Sequence, residues 1–438
     1  MQTIDILIDA GWIIPVEPAD CVMEDCSIAI HHGRIVEILP STDAAEKYNA
    51  NTHHHMPGHL LTAGFINTHT HAAMSLMRGL ADDLPLMDWL QNHIWPAESA
   101  WMSEDFVRDG CELAIAEMLR SGTTCFNDMY FFPDITARVA RDAGIRAVVG
   151  LIVLDFPTVW AATANEYIEK GLQLNDQLHG EELIRTAFAP HAPYTVSDQP
   201  LQQVQTLVNE LDLPIHIHLH EIESEITKSI EQFGVRPIER LNQLGLLSPN
   251  LIAVHMTQLQ QQEIELLAEN GVHIVHCPQS NLKLASGFCP VDQLQNAGVN
   301  VALGTDGAAS NNDLDMGNEM QTAALLAKAV SGNAGSLPAA NALEMATING
   351  ARALGLDHLI GSLLPGKSAD IIAIDMNTIE TQPLYNLDSQ LVYANSRDKI
   401  TDVWVNGQHL LNQRELTTLD TTAILTKANN WQQKIKAS

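Results

Sequence analysis

Residues 60–71 read LLTAGFINTHTH, an apolar run that ends in two histidines one residue apart. Such a run predicts a buried strand over residues 60–69. Residues i and i+2 of a strand point to the same side, so His69 and His71 present both imidazole rings to one point. Seven more short apolar runs follow, and they predict strands at residues 123–129, 146–154, 183–191, 214–221, 251–256, 273–278 and 299–306.

Stretches of helical character separate these runs. One of them spans residues 103–122, where Ser103 is suited to cap the helix start and Gly122 to end it. Eight strands that alternate with helices over residues 60–363 predict an α/β fold, a (β/α)8 TIM barrel, with its active site at the C-terminal strand ends. A doubly wound sheet is the competing arrangement, but it gives no reason for polar residues to cluster at so many strand ends.

The two ends of the chain have a different pattern of apolar and polar residues. Residues 4–16 and 26–40, and again residues 367–376 and 398–411, are short β-branched runs broken by Gly and Pro or alternating between apolar and polar residues. Such segments are too short to be stable alone. We therefore expect residues 1–59 and 364–438 to form one composite β-sandwich domain, and residues 60–363 to form the barrel.

Composition limits the partners. The chain has 23 Lys and Arg against 53 Asp and Glu, a net charge of −30, which repels phosphate backbones and anionic lipid. We predict no nucleic-acid polymer and no membrane as partner. Asp5 and Asp9 interrupt the first apolar segment and no run reaches about 18 apolar residues, so a cytoplasmic protein is expected. A homo-oligomer is left open. The six cysteines include no CxxC pair, which argues against a disulfide framework or a cysteine zinc site.

Histidines and one aspartate occur at several of the predicted strand ends. Besides His69 and His71, they are His216, His218 and His220 in strand 214–221, His255 in strand 251–256, and Asp306 in strand 299–306. Neutral imidazoles with a carboxylate suit a borderline divalent metal whose open position holds water. Spacing alone does not select the ligand among the three histidines of strand 214–221.

Four segments resemble the amidohydrolase superfamily, and most closely its 5-methylthioadenosine/S-adenosylhomocysteine deaminase family. They are GFINTHTHAAMSLMRGL (64–80), HIHLHE (216–221), HCPQSNLKLASG (276–287) and GTDGAASNNDLDM (304–316). The resemblance covers essentially the whole chain and implies one catalytic divalent metal per subunit, zinc in the first place or iron. Its H-x-x-E pattern selects His218, so the implied ligands are His69, His71, His218 and Asp306.

The resemblance also implies the roles of further residues. His255 and Asp306 would take a hydrogen bond or proton from the metal-bound water, and Glu221 would protonate the substrate ring. Glu98 would contact ribose hydroxyls and His191 the substrate. Some superfamily members hold a second metal through a carboxylated lysine at the end of strand 4, but residues 183–194, LIRTAFAPHAPY, contain no lysine, so a single metal is expected.

Other residues receive no catalytic role. We expect His216 to pack deeper in the barrel, His220 to lie behind the ligands or in the pocket wall, and Cys277 to be non-catalytic. Ser280 and Asn281 are expected to cap a turn. The histidine tract at residues 53–55 is expected in a solvated loop, and residues 78–101 as a lid or pocket wall.

The implied activity is hydrolytic deamination of an adenine nucleoside to the inosine analogue and ammonia. 5'-Methylthioadenosine leads, together with adenosine, and S-adenosylhomocysteine ranks lower. Relatives that handle S-adenosylhomocysteine well can place arginines near strand 3, whereas GLIVLDF (150–156) has none. The alternatives are an amidohydrolase acting on another ring, such as guanine, a pterin or a chlorotriazine, and a scaffold that has lost its chemistry.

Overall fold

The computed structural model describes residues 1–394 and 397–436, which contain two eight-stranded sheets. The strands are β1 Gln2–Ile14, β2 Met23–His31, β3 Arg34–Pro40, β4 Tyr48–Ala63, β5 Phe65–Thr70, β6 Thr123–Asp128, β7 Arg146–Val153, β8 Ile184–Pro190, β9 Ile215–Leu219, β10 Leu251–His255, β11 His273–His276, β12 Val301–Leu303, β13 Ile371–Asp375, β14 Ile400–Val405, β15 Gln408–Asn412 and β16 Glu415–Leu416.

Helices connect the strands of the second sheet and flank both sheets. They are α1 Ser41–Lys47, α2 Leu86–Trp89, α3 Trp95–Trp101, α4 Glu104–Arg120, α5 Pro133–Ala143, α6 Ala164–Gln177, α7 Asp198–Leu211, α8 Glu223–Phe233, α9 Pro237–Gln243, α10 Gln261–Glu269, α11 Pro278–Lys283, α12 Val291–Asn296, α13 Met316–Ser331, α14 Ala339–Met345, α15 Ile348–Ala353, α16 Leu387–Ser389 and α17 Thr421–Lys436. The predicted cap is confirmed, since the Ser103 hydroxyl accepts a hydrogen bond from the Phe106 amide at 3.2 Å.

The second sheet is the predicted barrel. Strands β5 to β12 are parallel and lie in chain order, as expected for repeated βα units. Its first and last strands meet through polar contacts: the Asn67 amide donates to the Thr305 hydroxyl at 2.7 Å, and the Asp306 amide donates to the His69 carbonyl at 3.0 Å. The ring is therefore nearly closed, and the site residues of β5 and β12 are brought side by side.

The predicted first barrel strand begins too early. Residues 60–63 belong to β4 of the other sheet, where Thr62 pairs with Ile14 and Ala63 with Ile371. The chain crosses between the sheets at Gly64, where a side chain would clash, because a Cβ atom would lie 2.1 Å from the Thr124 side chain. The barrel strand itself starts at Phe65.

The first sheet combines both ends of the chain. Its order is β16-β15-β14-β13-β4-β1-β2-β3, and β4 pairs in parallel with β1 and antiparallel with β13. The histidine tract at residues 53–55 lies within β4, so its prediction as a loop is wrong. Division of the chain at residues 59/60 and 363/364 remains a proposal.

A buried ion pair joins the two sheets. Arg146 at the start of β7 binds Asp370, next to β13, at 3.1 Å, and both side chains are only 2% exposed. In residues 1–394 and 397–436 we find no helix that is both long and apolar enough to span a membrane.

Candidate metal centre and active site

The four implied metal ligands converge at the C-terminal end of the barrel. His69 lies in β5 with His71 just after it, His218 lies in β9, and Asp306 follows β12. One ligand atom from each side chain lies within 4.8 Å of the others. The Nε2 atoms of His69 and His71 are each 3.2 Å from Asp306 Oδ1. The structure thus brings together residues that are far apart in the sequence.

Each of these histidines is held by its other ring nitrogen. His71 Nδ1 donates to the Met129 carbonyl at 2.6 Å, and His218 Nδ1 donates to the His191 carbonyl at 2.7 Å. Because a carbonyl oxygen only accepts, both rings carry a proton on Nδ1, and in its neutral form each ring directs an Nε2 lone pair into the site. His69 Nδ1 is similarly 2.9 Å from the Nε2 of the buried His216.

This arrangement fits a divalent cation. His71 Nε2 lies 3.2 Å from the Asp306 carboxylate, which outweighs the effect of burial and raises the pKa of His71 to about 9, so this pair is built to share one cation, a proton or a metal ion. A single catalytic metal site with an open position typically has three imidazoles and a carboxylate as its ligands. Here the second nitrogen of each imidazole is already hydrogen-bonded, which orients the ring. The residues present therefore form a metal site of three histidines and one aspartate.

Asp306 is fixed from several sides. Its Oδ2 accepts hydrogen bonds from Ser280 at 2.7 Å and Ser310 at 2.6 Å, and its Oδ1 accepts one from the Gly307 amide at 2.8 Å. Burial opposes its charge, but His69 and His71 hold the pKa of Asp306 well below its usual range. Its backbone is left-handed at φ 62°, a strained state typical of functional sites.

The prediction that Ser280 and Asn281 cap a turn is wrong. The Ser280 side chain instead binds Asp306, and the Asn281 side chain binds His255. His255 Nδ1 donates to Asn281 Oδ1 at 2.8 Å, which leaves His255 Nε2 as an acceptor. That nitrogen is 3.9 Å from Glu221 Oε1, and both side chains are buried. Burial raises the pKa of Glu221 above its usual value. A buried acid and a buried imidazole thus stand side by side at the metal site.

A cavity of about 430 Å³ opens onto these groups. Its lining includes a cluster of titratable side chains around the metal ligands, namely His71, His191, His218, Glu221, His255 and Asp306, and also contains Glu98 and several hydroxyl groups. The walls are mostly apolar, and residues 78–101 contribute to them as expected, through Leu86, Trp89, Leu90, Ile94 and Trp95. Among the described residues that line the cavity, none is Arg or Lys. The cavity therefore suits a molecule with a polar head and an uncharged tail.

Glu98 and His191 both face this cavity. Glu98 lies in α3 and its Oε1 accepts a hydrogen bond from the Tyr130 hydroxyl at 2.7 Å. Loss of solvent raises the pKa of Glu98 to about 7. His191 Nδ1 is 3.1 Å from the Thr195 hydroxyl, and burial lowers the pKa of His191 to about 3, so this ring is neutral. Tyr130 and Ser310 were missed in the sequence, where neither hydroxyl stands out by spacing.

The other histidines of β9 and its end are packed away from the cavity. His216 is fully buried beneath His69, as expected. His220 is also fully buried, with Nδ1 at 3.2 Å from the Gln258 carbonyl and Nε2 accepting from the Ile238 amide at 3.2 Å. Its ring holds two loops together and does not line the cavity.

A parallel barrel that presents three imidazoles, a carboxylate and a buried acid at one mouth defines the class of metal-dependent barrel hydrolases. The model of the amidohydrolase family matches residues 60–410. The chain belongs to the amidohydrolase family and, within it, to the 5-methylthioadenosine/S-adenosylhomocysteine deaminase family.

Three similar proteins illustrate this membership. A 5-methylthioadenosine/S-adenosylhomocysteine deaminase of Saccharophagus degradans is 53% identical over 99% of this chain and 97% of that protein. A 5'-deoxyadenosine deaminase of Methanothermobacter thermautotrophicus is 42% identical over 90% of this chain and 91% of that protein. The crystal structure of an adenosine deaminase from Xanthomonas campestris with bound zinc is 51% identical, with a TM-score of 0.99 and coverage of 100% of both chains.

Proposed function

We propose that this protein is a metal-dependent deaminase that converts the 6-amino group of adenine nucleosides to the inosine analogue and ammonia. 5'-Methylthioadenosine is the leading substrate, with adenosine and S-adenosylhomocysteine as further substrates. The observation that carries the proposal is the buried Glu221 beside His255, within the cluster of titratable side chains in a largely apolar cavity. The names of the three similar proteins above support the same substrate class.

One divalent ion, zinc in the first place and iron as the alternative, would be held by His69, His71, His218 and Asp306. The similar adenosine deaminase structure contains zinc. Such an ion lowers the pKa of a coordinated water to about 7, which provides hydroxide at neutral pH.

Three residues of the protein would accept and donate the protons of the reaction. His255 Nε2 is free to accept a hydrogen bond from the attacking water, because its Nδ1 is committed to Asn281. Asp306, with its two serine partners, would serve as the second acceptor. Burial raises the pKa of Glu221, which favours its protonated form and makes it a suitable donor to ring atom N1. The water oxygen would bond to C6, and the proton that His255 or Asp306 takes from the water would pass to the 6-amino group, so that the C6–N bond breaks and ammonia leaves. The second water proton would restore Glu221.

Glu98 and His191 would position the nucleoside. Tyr130 occupies only one oxygen of Glu98, so the other is available to accept from the ribose hydroxyls. The apolar wall would receive the methylthio group. Because the lining residues include no Arg or Lys, the amino-acid tail of S-adenosylhomocysteine would find no cationic partner for its carboxylate there.

The test is ammonia release by metal-loaded protein from 5'-methylthioadenosine, adenosine, 5'-deoxyadenosine, S-adenosylhomocysteine and guanine. We expect turnover of the adenine nucleosides, fastest for 5'-methylthioadenosine, and little with guanine. Absence of turnover with every adenine nucleoside would overturn the proposal, and turnover of guanine alone would favour the alternative of another ring substrate.

A further inference from the structure

A second buried carboxyl group stands behind Glu221. Glu225 lies in the first turn of α8 and is only 4% exposed. It does not line the cavity and none of the steps above uses it. Burial raises the pKa of Glu225 to about 8, although hydrogen bonds from neighbouring backbone amides oppose that rise. Buried acids with a perturbed pKa occur often at functional sites.

The Glu225 carboxylate binds the backbone at the point where β9 ends. Its Oε1 accepts a hydrogen bond from the His220 amide at 3.0 Å, and its Oε2 accepts one from the Glu221 amide at 2.8 Å. Both hydrogen bonds are buried. An acidic residue in the first turn of a helix commonly accepts from the amide just before the helix, here Ile222, and the carboxyl group of Glu225 also reaches the two preceding amides, including that of Glu221.

The segment that it holds is conformationally demanding. His220 has a φ of 52°, in the left-handed region that side chains other than glycine rarely adopt. This left-handed residue ends strand β9 after Leu219. It also sets the direction in which the side chain of the next residue, Glu221, points. A second contact acts on the same residue from the far side, because the Thr257 hydroxyl donates to the Glu221 carbonyl at 2.6 Å. The backbone of Glu221 is thus fixed at both its amide and its carbonyl.

We propose that Glu225 is a positioning residue for the reaction: the two oxygens of its carboxyl group hold the amides of His220 and Glu221 so that the Glu221 side chain is kept in place to transfer its proton. This inference rests on the proposed function. An error of about 1 Å in the position of a reacting group can cost about 100-fold in rate. Loss of the two hydrogen bonds made by Glu225 should therefore slow the chemical step, while the metal ligands and the cavity wall stay in place.

The test compares Glu225→Gln with the parent protein. The amide keeps one acceptor but turns an NH2 group toward the other backbone N–H, so one of the two hydrogen bonds is lost. We expect kcat per bound metal to fall about 10-fold to 100-fold for 5'-methylthioadenosine, with KM changed less than about 3-fold and metal content kept at about one per chain. Glu231→Gln, an exposed residue of the same helix, is the matched control and should equal the parent.

A double-mutant cycle with Glu221→Gln separates positioning from a general structural effect. If Glu225 acts through Glu221, Glu225→Gln should have little further effect on kcat once Glu221 is replaced. An equal loss in both backgrounds, or a kcat within about 2-fold of the parent, would overturn the inference. Should Glu225→Gln fail to fold, Glu225→Asp, which shortens the side chain and withdraws the carboxyl group from the two amides, is subject to the same two criteria. Failure of the proposed function would instead appear as inactivity of the parent.

Discussion

The Nε2 atoms of His69 and His218 face each other at 3.2 Å. His218 donates its Nδ1 proton to a carbonyl group, so its Nε2 is a lone pair directed at the neighbouring ring. Two imidazole nitrogens at this distance can share one cation, either a proton or a metal ion. We therefore expect a bound metal to stabilise the fold as well as to support activity.

Replacement of a ligand should remove the metal. His69→Ala should bind less than about 0.1 metal ions per chain, measured by elemental analysis after dialysis, and should be inactive. His55→Ala is the matched control. The His55 side chain is 74% exposed on the first sheet, so its replacement should leave the metal content unchanged. Chelation of the parent should lower its free energy of unfolding, by about 2.7 kcal/mol where the metal had been present at about 100 times Kd. Full metal content in His69→Ala would contradict the ligand assignment.

The buried His216 should tune metal affinity although it does not bind the metal. Its Nε2 is 2.9 Å from His69 Nδ1 and keeps the His69 ring oriented. Outer partners of this kind are typically worth about 10-fold to 100-fold in metal affinity. We expect His216→Phe, which keeps the ring volume but removes the nitrogen, to weaken binding by that factor in competition with a chromophoric chelator. Unchanged affinity in a variant with a parent-like circular dichroism spectrum would show that the contact is only packing.

Glu221→Gln should separate metal binding from turnover. The amide cannot deliver a proton, so kcat should fall by about 100-fold to 10,000-fold, the usual contribution of a general acid. Metal content should stay at about one per chain, because Glu221 is not among the four converging ligands. Activity equal to that of the parent would eliminate Glu221 as the proton donor.

The fold could be predicted well because each barrel strand is a short apolar run, and these runs end in polar residues where the barrel opens. The start of the first strand could not, because residues 60–69 form one apolar run that the structure divides between two sheets at Gly64. Strand periodicity carries no signal for such a crossing.

The site could be predicted in part. His69, His71, His255 and Asp306 stand at predicted strand ends, but the choice of His218 over His216 and His220 required the family resemblance. In the structure His216 lies one layer deeper, and the left-handed backbone of His220 turns its ring toward Gln258. A departure from strand geometry at one residue is set by the surrounding loops. The expectation that residues i and i+2 of a strand point to the same side therefore does not detect it.

Glu98 should make substrate binding depend on pH near neutrality. Its pKa is raised to about 7, so the group is protonated below pH 7 and ionised above it. Only the ionised form accepts from both ribose hydroxyls, and KM for the nucleoside should therefore fall as the pH rises from 6 to 8. In Glu98→Gln, KM should be about 10-fold higher than in the parent at pH 8 and independent of pH over this range. A 2',3'-dideoxy substrate provides the control, since its KM should follow neither the pH nor the substitution.

The absence of Arg and Lys from the described residues that line the cavity predicts that a single added cation can shift substrate selectivity. Val159 lines the cavity near its opening and is 57% exposed, so a longer side chain can extend from it without entering the core. Val159→Arg places a guanidinium group where a carboxylate on the 5' substituent would emerge. A charge-assisted hydrogen bond contributes about 1.5 kcal/mol or more, so kcat/KM for S-adenosylhomocysteine should rise about 10-fold relative to that for 5'-methylthioadenosine. Val159→Gln has a similar reach without the charge and should leave the ratio nearly unchanged. If both variants alter the two substrates in the same proportion, the 5' substituent does not pass Val159.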